Sequence, residues 1–277
     1  MNKLLISIVV TLIAALTILP PAVSSAQQGG APAGPAAGPA PAQGGAPAVG
    51  APAGRGRGGP AAPATQPVPP RDGERHTSFV QIARAGNIDL LFVGDSITDW
   101  WRLDTLRGGE KAGKAVWDQF FAPLKAANFG IAGDTTQGVL WRMQNGELEG
   151  FKAKLIVLML GTNNINRNPN DEIAEGNRLI VEEFKKRQPQ AKVLVLGIFP
   201  RRLGGESVSA SIKEVNSRLA KLADNKQVFY MDIGDKFLAP DGTLPADVMP
   251  DGLHPNEKGY RIWAEAIIGK VKELMGS

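Results

Sequence analysis

Short apolar runs that alternate with helix-like segments are the feature that most constrains this fold. The runs LIVLML at residues 155–160 and VLVLGI at residues 193–198 contain no polar residue. Strands that are apolar at every position are typical of a parallel sheet covered on both faces. Alternation of such strands with helices predicts a three-layer α/β/α domain with right-handed crossovers. The predicted strands are 88–93, 127–129, 155–160, 192–198 and 227–232, and the predicted helices are 116–125, 135–145, 171–187, 207–223 and 256–275.

The first 26 residues predict a secretory signal peptide. Lys3 precedes an apolar run at residues 4–19, and small residues precede a plausible cleavage site after Ala26. An uncleaved membrane anchor is the alternative, because the run approaches the length of a short spanning helix. We favour cleavage, and therefore expect a secreted, periplasmic or cell-envelope protein with no stable membrane span after cleavage.

Residues 27–72 predict a disordered linker. Positions 27–70 hold 13 Ala, 11 Pro and 11 Gly, so 35 of these 44 residues offer almost no bulky apolar surface to offset chain entropy. We expect one folded domain at residues 73–277. From residue 71 onward, 28 Lys and Arg face 27 Asp and Glu, a net charge of +1. Most of the net positive charge of the whole chain therefore lies in its first 70 residues. For this reason we expect no nucleic-acid partner.

Small polar clusters follow three of the predicted strands and precede the last predicted helix. They are Gly-Asp-Ser at 94–96, Gly-Ile-Ala-Gly-Asp at 130–134, Gly-Thr-Asn-Asn at 161–164 and Asp-Gly-Leu-His-Pro at 251–255. In open parallel sheets the ligand binds outside the carboxyl ends of the strands. We therefore expect the four clusters to meet at one functional site.

The clusters contain the groups that serine-dependent hydrolysis needs. Ser96 is a weak nucleophile that requires an adjacent base. The chain has only two histidines, and His254 is the one within a cluster. Asp251 is close enough along the chain to orient the imidazole. The backbone N–H groups of Ser96 and Gly133 and the side-chain amide of Asn163 are candidate oxyanion donors.

Each residue also has a structural interpretation when taken alone. Ser96 could only cap a helix, Asp251 could belong to a plain turn, and His254 could cap or pack. Asn163 could likewise be a turn residue. All four clusters together favour catalysis.

At this point the sequence resembles the SGNH, or GDSL, hydrolase family. Residues 128–148, 161–164 and 188–197 closely resemble the catalytic subunits of intracellular platelet-activating factor acetylhydrolase, and the resemblance covers nearly all of residues 78–275. It implies a flavodoxin-like sheet, a nucleophile, base and orienting acid, and an oxyanion hole at the positions named above. It also implies that an acyl pocket is closed by Ile97, Thr162 and Leu253.

The resemblance is imperfect where the substrate is concerned. Residues 97–101, Ile-Thr-Asp-Trp-Trp, look more like secreted bacterial esterases that act on acetylated sugars. We therefore predict a serine esterase that removes acetyl groups from small-molecule or polysaccharide esters. A lysophospholipase, a thioesterase or a lipid esterase like platelet-activating factor acetylhydrolase is the enzymatic alternative, and a non-catalytic carbohydrate-binding module is a third. A homodimer stays open, since the related subunits pair.

Other motifs favour structural roles. The chain lacks Cys and HExxH, so we expect no metal and no cofactor. Residues 108–114 match the spacing of a phosphate loop, but no strand precedes them, and we predict a surface loop. His76 is predicted to lie on the surface at a helix start. For Trp100 and Trp101, a sugar-stacking platform and core packing of the first helix are equally open.

Overall fold

The structure, a computed structural model, describes residues 61–276. The predicted signal peptide and most of the predicted linker lie outside the described residues. Five parallel strands form one sheet in the order β2-β1-β3-β4-β5. This is the flavodoxin-like order, which confirms the predicted fold class. The strands are β1 Leu90–Gly94, β2 Ala126–Gly130, β3 Leu155–Met159, β4 Lys192–Leu196 and β5 Val228–Met231.

Alternate residues of each central strand enter two different apolar clusters. Leu91 and Ile156 belong to the first cluster, and Phe92 and Val157 belong to the second. All five residues of both β1 and β3 are buried. Both faces of the sheet are therefore covered, as the apolar runs predict.

Helices supply the outer layers. Residues of α1, α4, α5 and α6 pack in the first cluster, and residues of α3 and α7 pack in the second. The predicted helix 116–125 is divided, because a 3₁₀ turn that contains Pro123 follows Phe120. The helices are α1 Gly73–Ala85, α2 Ser96–Asp99, α3 Lys114–Phe120, α4 Thr136–Gln144, α5 Asn170–Arg187, α6 Gly205–Leu219 and α7 Glu257–Met275.

Helix α1 is not among the five predicted helix ranges, although a helix start is predicted at His76 and both ends of α1 carry recognisable signals. The Asp72 carboxylate accepts a hydrogen bond from the Arg75 N–H at 2.9 Å, which caps the first turn. Gly86 ends the helix with a φ of 81°. Phe79 and Ala83 are buried on one face of the helix. The rest of the helix is so polar that its apolar residues form no clear helical pattern in the sequence.

The predicted linker extends to residue 72, yet its last residues contact the domain. Ala64 is fully buried, and the backbone of Ala62, Ala64 and Val68 bonds with α4, α5 and the loop before α5. Polar groups of the domain thus bind the backbone of a stretch that has few bulky apolar side chains of its own. Within residues 61–276 no helix is long and apolar enough to cross a membrane.

Candidate active site

The loops that follow three strands begin at the same edge of the sheet. Gly94, the last residue of β1, pairs in register with Gly130 of β2 and Met159 of β3. A Cβ at Gly130 would lie 2.2 Å from the Asp99 N, so glycine lets β2 approach the backbone of α2. The predicted polar clusters therefore meet at one rim, as expected for a parallel sheet.

Ser96 begins α2 immediately after β1. The Asp95 side chain accepts a hydrogen bond from the Ile97 N–H at 3.0 Å and caps this short helix. The other carboxylate oxygen of Asp95 is buried without a partner in the described residues. Burial, aided by the charge of Asp134, raises the pKa of Asp95 to about 7. Sequence reasoning missed this buried acid next to the serine.

Ser96, His254 and Asp251 form one hydrogen-bonded chain. The Ser96 Oγ lies 2.9 Å from the His254 Nε2, and the His254 Nδ1 lies 2.6 Å from the Asp251 Oδ2. The Asp251 Oδ1 accepts hydrogen bonds from the N–H groups of Leu253 and His254 at 2.9 and 2.7 Å. The loop before α7 is thereby folded so that acid and imidazole meet within three residues.

The charge state of Asp251 sets the tautomer of His254. Burial acts to raise the pKa of Asp251, but hydrogen bonds from His254 and Leu253 outweigh it and hold the pKa below its ordinary value. An ionised carboxylate only accepts hydrogen bonds, so the His254 Nδ1 carries the proton. Nε2 is then free to accept the proton of the Ser96 hydroxyl, which is the arrangement that nucleophilic attack requires.

The two tryptophans after α2 have different surroundings. Trp101 is fully buried in the second apolar cluster, so core packing accounts for it. Trp100 stacks on the His254 ring, with centroids 3.8 Å apart and planes at 26°. An aromatic face packed against an imidazole restricts the rotation of the ring. This contact joins residues far apart in the chain, and sequence reasoning missed it.

Two of the candidate oxyanion donors lie in the loops that follow β2 and β3. Gly133 has a φ of 79°, and no protein atom lies within 4 Å of the position a Cβ would take. The left-handed backbone, rather than crowding by neighbouring protein atoms, therefore explains glycine here. The Asn163 Nδ2 donates to the Asp134 O at 2.8 Å, which holds the amide and leaves its second N–H for another acceptor.

The predicted acyl-pocket residues lie around the same rim. Ile97 is 1% exposed within the second apolar cluster, and Leu253 packs against that cluster. Thr162 is 1% exposed, and its carbonyl and hydroxyl oxygens accept hydrogen bonds from Arg201 at 3.0 and 3.1 Å. Burial lowers the pKa of the Arg201 guanidinium, while Asp95 opposes this effect.

His76 lies in the first turn of α1, as predicted, but the prediction of a surface position is wrong. Its side chain is 14% exposed, and its Nδ1 lies 2.8 Å from the fully buried Glu147 Oε1. Trp141 packs edge-on at 5.0 Å. Glu147 also binds the buried Arg142 guanidinium, whose Nε donates to the Asp134 Oδ2 at 2.9 Å. The hydrogen bond to Glu147 thus holds this histidine largely out of solvent.

No group of His, Asp and Glu within residues 61–276 has the arrangement of a metal site. Residues 108–114 form turns and the start of α3, and Lys114 pairs with Asp118 on that helix.

The parallel sheet with these loops at its carboxyl edge, and the match of residues 92–262 to a lipase and acylhydrolase family model, define a hydrolase that acts on ester bonds. The chain belongs to the GDSL-like lipase/acylhydrolase family, whose model matches residues 92–262. The platelet-activating factor acetylhydrolase IB subunit alpha2 of Rattus norvegicus is 39% identical over 187 residues, which are 67% of this chain and 77% of the rat protein. The alpha1 subunit of Homo sapiens is 36% identical over 186 residues, 67% of this chain and 76% of the human protein.

Solved structures share the fold at lower identity. A GDSL-like lipase from Bacteroides thetaiotaomicron VPI-5482 is 18% identical with a TM-score of 0.58, over 72% of this chain and 97% of that chain. An acetylxylan esterase from Geobacillus stearothermophilus is 20% identical with a TM-score of 0.52, over 69% of this chain and 95% of that chain. These likenesses are evidence of the shared fold alone.

Proposed function

We propose that this protein is a secreted serine esterase that removes acetyl groups from carbohydrate esters. The observation that carries the proposal is the hydrogen-bonded chain from Ser96 through His254 to Asp251. A nucleophile, a base and an orienting carboxylate in this order need no further group to start acyl transfer. A binding module has no use for that arrangement.

In the proposed reaction the Ser96 Oγ attacks the ester carbon while the His254 Nε2 takes the hydroxyl proton. The negative oxygen of the tetrahedral intermediate is stabilised by the N–H groups of Ser96 and Gly133 and by the Asn163 amide. His254 then gives its proton to the leaving alcohol, and an acyl-enzyme remains. Water attacks the acyl-enzyme with His254 again as base, which releases the acid and restores Ser96.

Acetyl as the acyl group is supported by the walls of the proposed acyl pocket. Ile97 and Leu253 are branched apolar side chains, and Thr162 is held by Arg201. A rigid wall leaves room for a methyl group but makes a long chain costly, because overpacking costs roughly 1–3 kcal/mol. The names of the rat and human relatives, which are acetylhydrolases, agree with a short acyl group.

A carbohydrate alcohol is supported by the name of one relative in fold, an acetylxylan esterase, and by the predicted signal peptide. The acetylhydrolase relatives favour a lipid ester as the second candidate. Export of the chain is part of the same proposal, and fractionation of cells that express the full chain tests it. Mature protein in the medium or periplasm is the expected result.

Two measurements test the activity. A fluorophosphonate probe should label wild-type protein and fail to label Ser96→Ala. A panel of acetylated xylan, acetylated monosaccharides and acetylated phospholipids should give the highest kcat/KM on a sugar ester. Labelling of Ser96→Ala would refute the proposed nucleophile, and a preference for the phospholipid would favour the second candidate.

The acyl pocket has its own test in the p-nitrophenyl acetate, butyrate and octanoate series. An open apolar groove would raise activity with chain length, because each buried methylene adds about 0.8 kcal/mol. We expect the reverse trend, with octanoate at least about tenfold slower than acetate in kcat/KM. Equal or rising rates along the series would contradict the acetyl preference.

A further inference from the structure

A pocket of about 200 Å³ adjoins the loop that carries Gly133. One wall is this loop and the start of α4, and a second comprises Arg167 and Asn168. The third wall consists of residues from the end of the predicted linker, between Ala61 and Arg71. A segment that composition assigned to a featureless spacer therefore borders the proposed active site.

This third wall is attached to the domain at Ala64. The Ala64 N–H donates to the Glu172 Oε2 at 3.1 Å, and its carbonyl oxygen accepts the Thr136 hydroxyl at 2.8 Å. Ala64 is 0% exposed. A Cβ at Gly176 of α5 would lie 2.6 Å from the Ala64 O, so glycine on α5 makes space for the segment. The surface of α5 therefore leaves room for the backbone of the segment at Ala64.

Gln137 binds the segment on either side of Ala64, through its side-chain amide on one side and its backbone on the other. The Ala62 carbonyl oxygen accepts from the Gln137 Nε2 at 2.8 Å and from the Asn168 Nδ2 at 3.0 Å. The Val68 N–H donates to the Gln137 O at 3.2 Å. Gln137 and Asn168 also line the pocket, so the groups that hold the segment shape the cavity.

The pocket has a positive edge. Arg71 and Arg167 line it and are exposed, and neither side chain forms an ion pair within residues 61–276. Asp134 is the one acid among the lining residues, and its carboxylate accepts from the Arg142 Nε and the Thr135 N–H at 2.9 Å each. The carboxylate is therefore held by Arg142, which also binds Glu147, and it pairs with neither of the two exposed arginines within residues 61–276.

The pocket and the proposed acyl site adjoin different apolar clusters. Ile131 of the pocket belongs to the first apolar cluster, whereas Ile97 belongs to the second and Leu253 packs against it. The acyl and alcohol parts of an ester leave its carbonyl carbon in different directions. If the acyl group lies by Ile97, the alcohol is directed to the pocket beside Gly133.

We propose that this pocket binds the alcohol part of the substrate and that Arg71 and Arg167 recognise a carboxylate on it. The substrates would then be acetyl esters of acidic sugars, that is, uronate-bearing oligosaccharides. This inference rests on the proposed esterase function. A lipid surface fits less well, because the large hydrophobic side chains exposed within residues 61–276 are only Val68, Ile82 and Leu203, on separate elements.

Charge recognition is tested on full-length protein with two acetyl esters, 4-acetoxybenzoate and its neutral methyl ester. The ratio of their kcat/KM values cancels effects common to both esters. Arg71→Ala and Arg167→Ala should each lower the anionic-to-neutral ratio roughly two- to fivefold, mainly through KM, because each removes one exposed charge pair. Arg84→Ala is the matched control, since Arg84 is an exposed arginine near the other end of α1, and it should leave the ratio unchanged.

The outcomes separate this inference from the proposed function. An unchanged ratio in the Arg71→Ala/Arg167→Ala double variant, with the methyl ester still hydrolysed, overturns the inference and leaves the esterase intact. Failure of wild-type protein to hydrolyse either ester overturns both. Faster hydrolysis of a 2-acetyl glycerophospholipid in phosphatidylcholine vesicles than of acetylated uronate-bearing xylo-oligosaccharides overturns the assignment to sugars.

The wall itself is tested with the acetylated uronate-bearing oligosaccharide as substrate. A chain lacking residues 1–60 should keep the KM of the full protein. Ala64→Glu in the full chain places a carboxylate beside Glu172 and should detach the segment, which raises KM at least about threefold while p-nitrophenyl acetate turnover stays within about twofold. A chain lacking residues 1–71 should behave as Ala64→Glu does. An unchanged KM in both variants overturns the role of the segment.

Discussion

The two histidines of this chain each contact a carboxylate through Nδ1, and their side chains are almost equally buried, at 13% exposed for His254 and 14% for His76. Their partners differ. Asp251 is 52% exposed and belongs to a turn, whereas Glu147 is fully buried and also binds Arg142. The other ring nitrogen of His254 meets the Ser96 hydroxyl. His76 has no such nucleophile and instead packs against Trp141.

The comparison shows that a histidine–acid pair is not by itself a catalytic feature. The two pairs differ in the group that contacts the second ring nitrogen of the histidine. They also differ in whether the acid is exposed or buried in the core. Asp251 is held by two backbone N–H groups of its own turn, so it orients the imidazole without being tied to the core. Glu147 is one of two acids that bind a buried guanidinium, so its loss would break a buried ion pair.

The largest expected difference between the pairs is in activity. His254→Ala removes the proposed base and should lower kcat/KM for p-nitrophenyl acetate by about 10⁴-fold or more. His76→Ala should change kcat/KM by less than about twofold, because His76 contacts no proposed catalytic residue. Comparable losses in the two purified, folded variants would contradict the proposed division of roles.

Loss of a proposed oxyanion donor, unlike loss of His76, should also lower activity. Asn163→Ala should lower kcat by roughly 10²–10³ with little change in KM, because a donor to the developing oxyanion acts mainly in the transition state. Steady-state kinetics on p-nitrophenyl acetate measures both parameters. A rise in KM with kcat unchanged would mean that Asn163 binds the ground-state substrate instead.

For stability the order should be reversed: substitution of Glu147 should cost more than substitution of Asp251. Glu147→Gln leaves the buried Arg142 with Asp134 as its remaining charged partner, and weakening a buried hydrogen bond between charged groups should lower the free energy of unfolding by about 1.5–3 kcal/mol. Asp251→Asn alters a half-exposed carboxylate and should cost less than about 1 kcal/mol while it reduces activity.

Urea titration of both purified variants measures this difference. The activity of folded Glu147→Gln should stay close to that of the wild type, since the hydrogen bonds of Glu147 go to His76 and Arg142 and not to Ser96, His254 or Asp251. Equal destabilisation by the two substitutions would show that the turn at Asp251 carries more of the fold than its exposure suggests.

Much of this arrangement could be predicted from sequence because it follows from local pattern and from sheet geometry. The apolar runs located all five strands, and parallel strands must bring the loops after Gly94, Gly130 and Met159 to one edge. The spacing between Asp251 and His254 likewise allowed their contact to be foreseen. These inferences need only the pattern of apolar residues along the chain and the parallel arrangement of the strands.

Other features depend on contacts between distant residues. His76 and Glu147 are 71 positions apart in the sequence. The polar residues around His76 in the helix do not indicate that its partner is a buried acid. Trp100 gave two equally supported interpretations until its neighbour was known. The segment around Ala64 is bound through its backbone, so its side chains hold no pattern that would reveal the contact.

The smallest expected effect concerns the stability that His76 itself provides. His76→Ala removes one hydrogen bond to the buried Glu147 and the edge contact with Trp141, and should lower the free energy of unfolding by about 1 kcal/mol. His76→Gln restores a neutral donor and should recover part of that loss, whereas Glu147 keeps Arg142 in both variants. Thermal unfolding of the two variants beside the wild type measures the difference. A loss as large as that of Glu147→Gln would mean that the histidine, and not the arginine, is the main partner of the buried carboxylate.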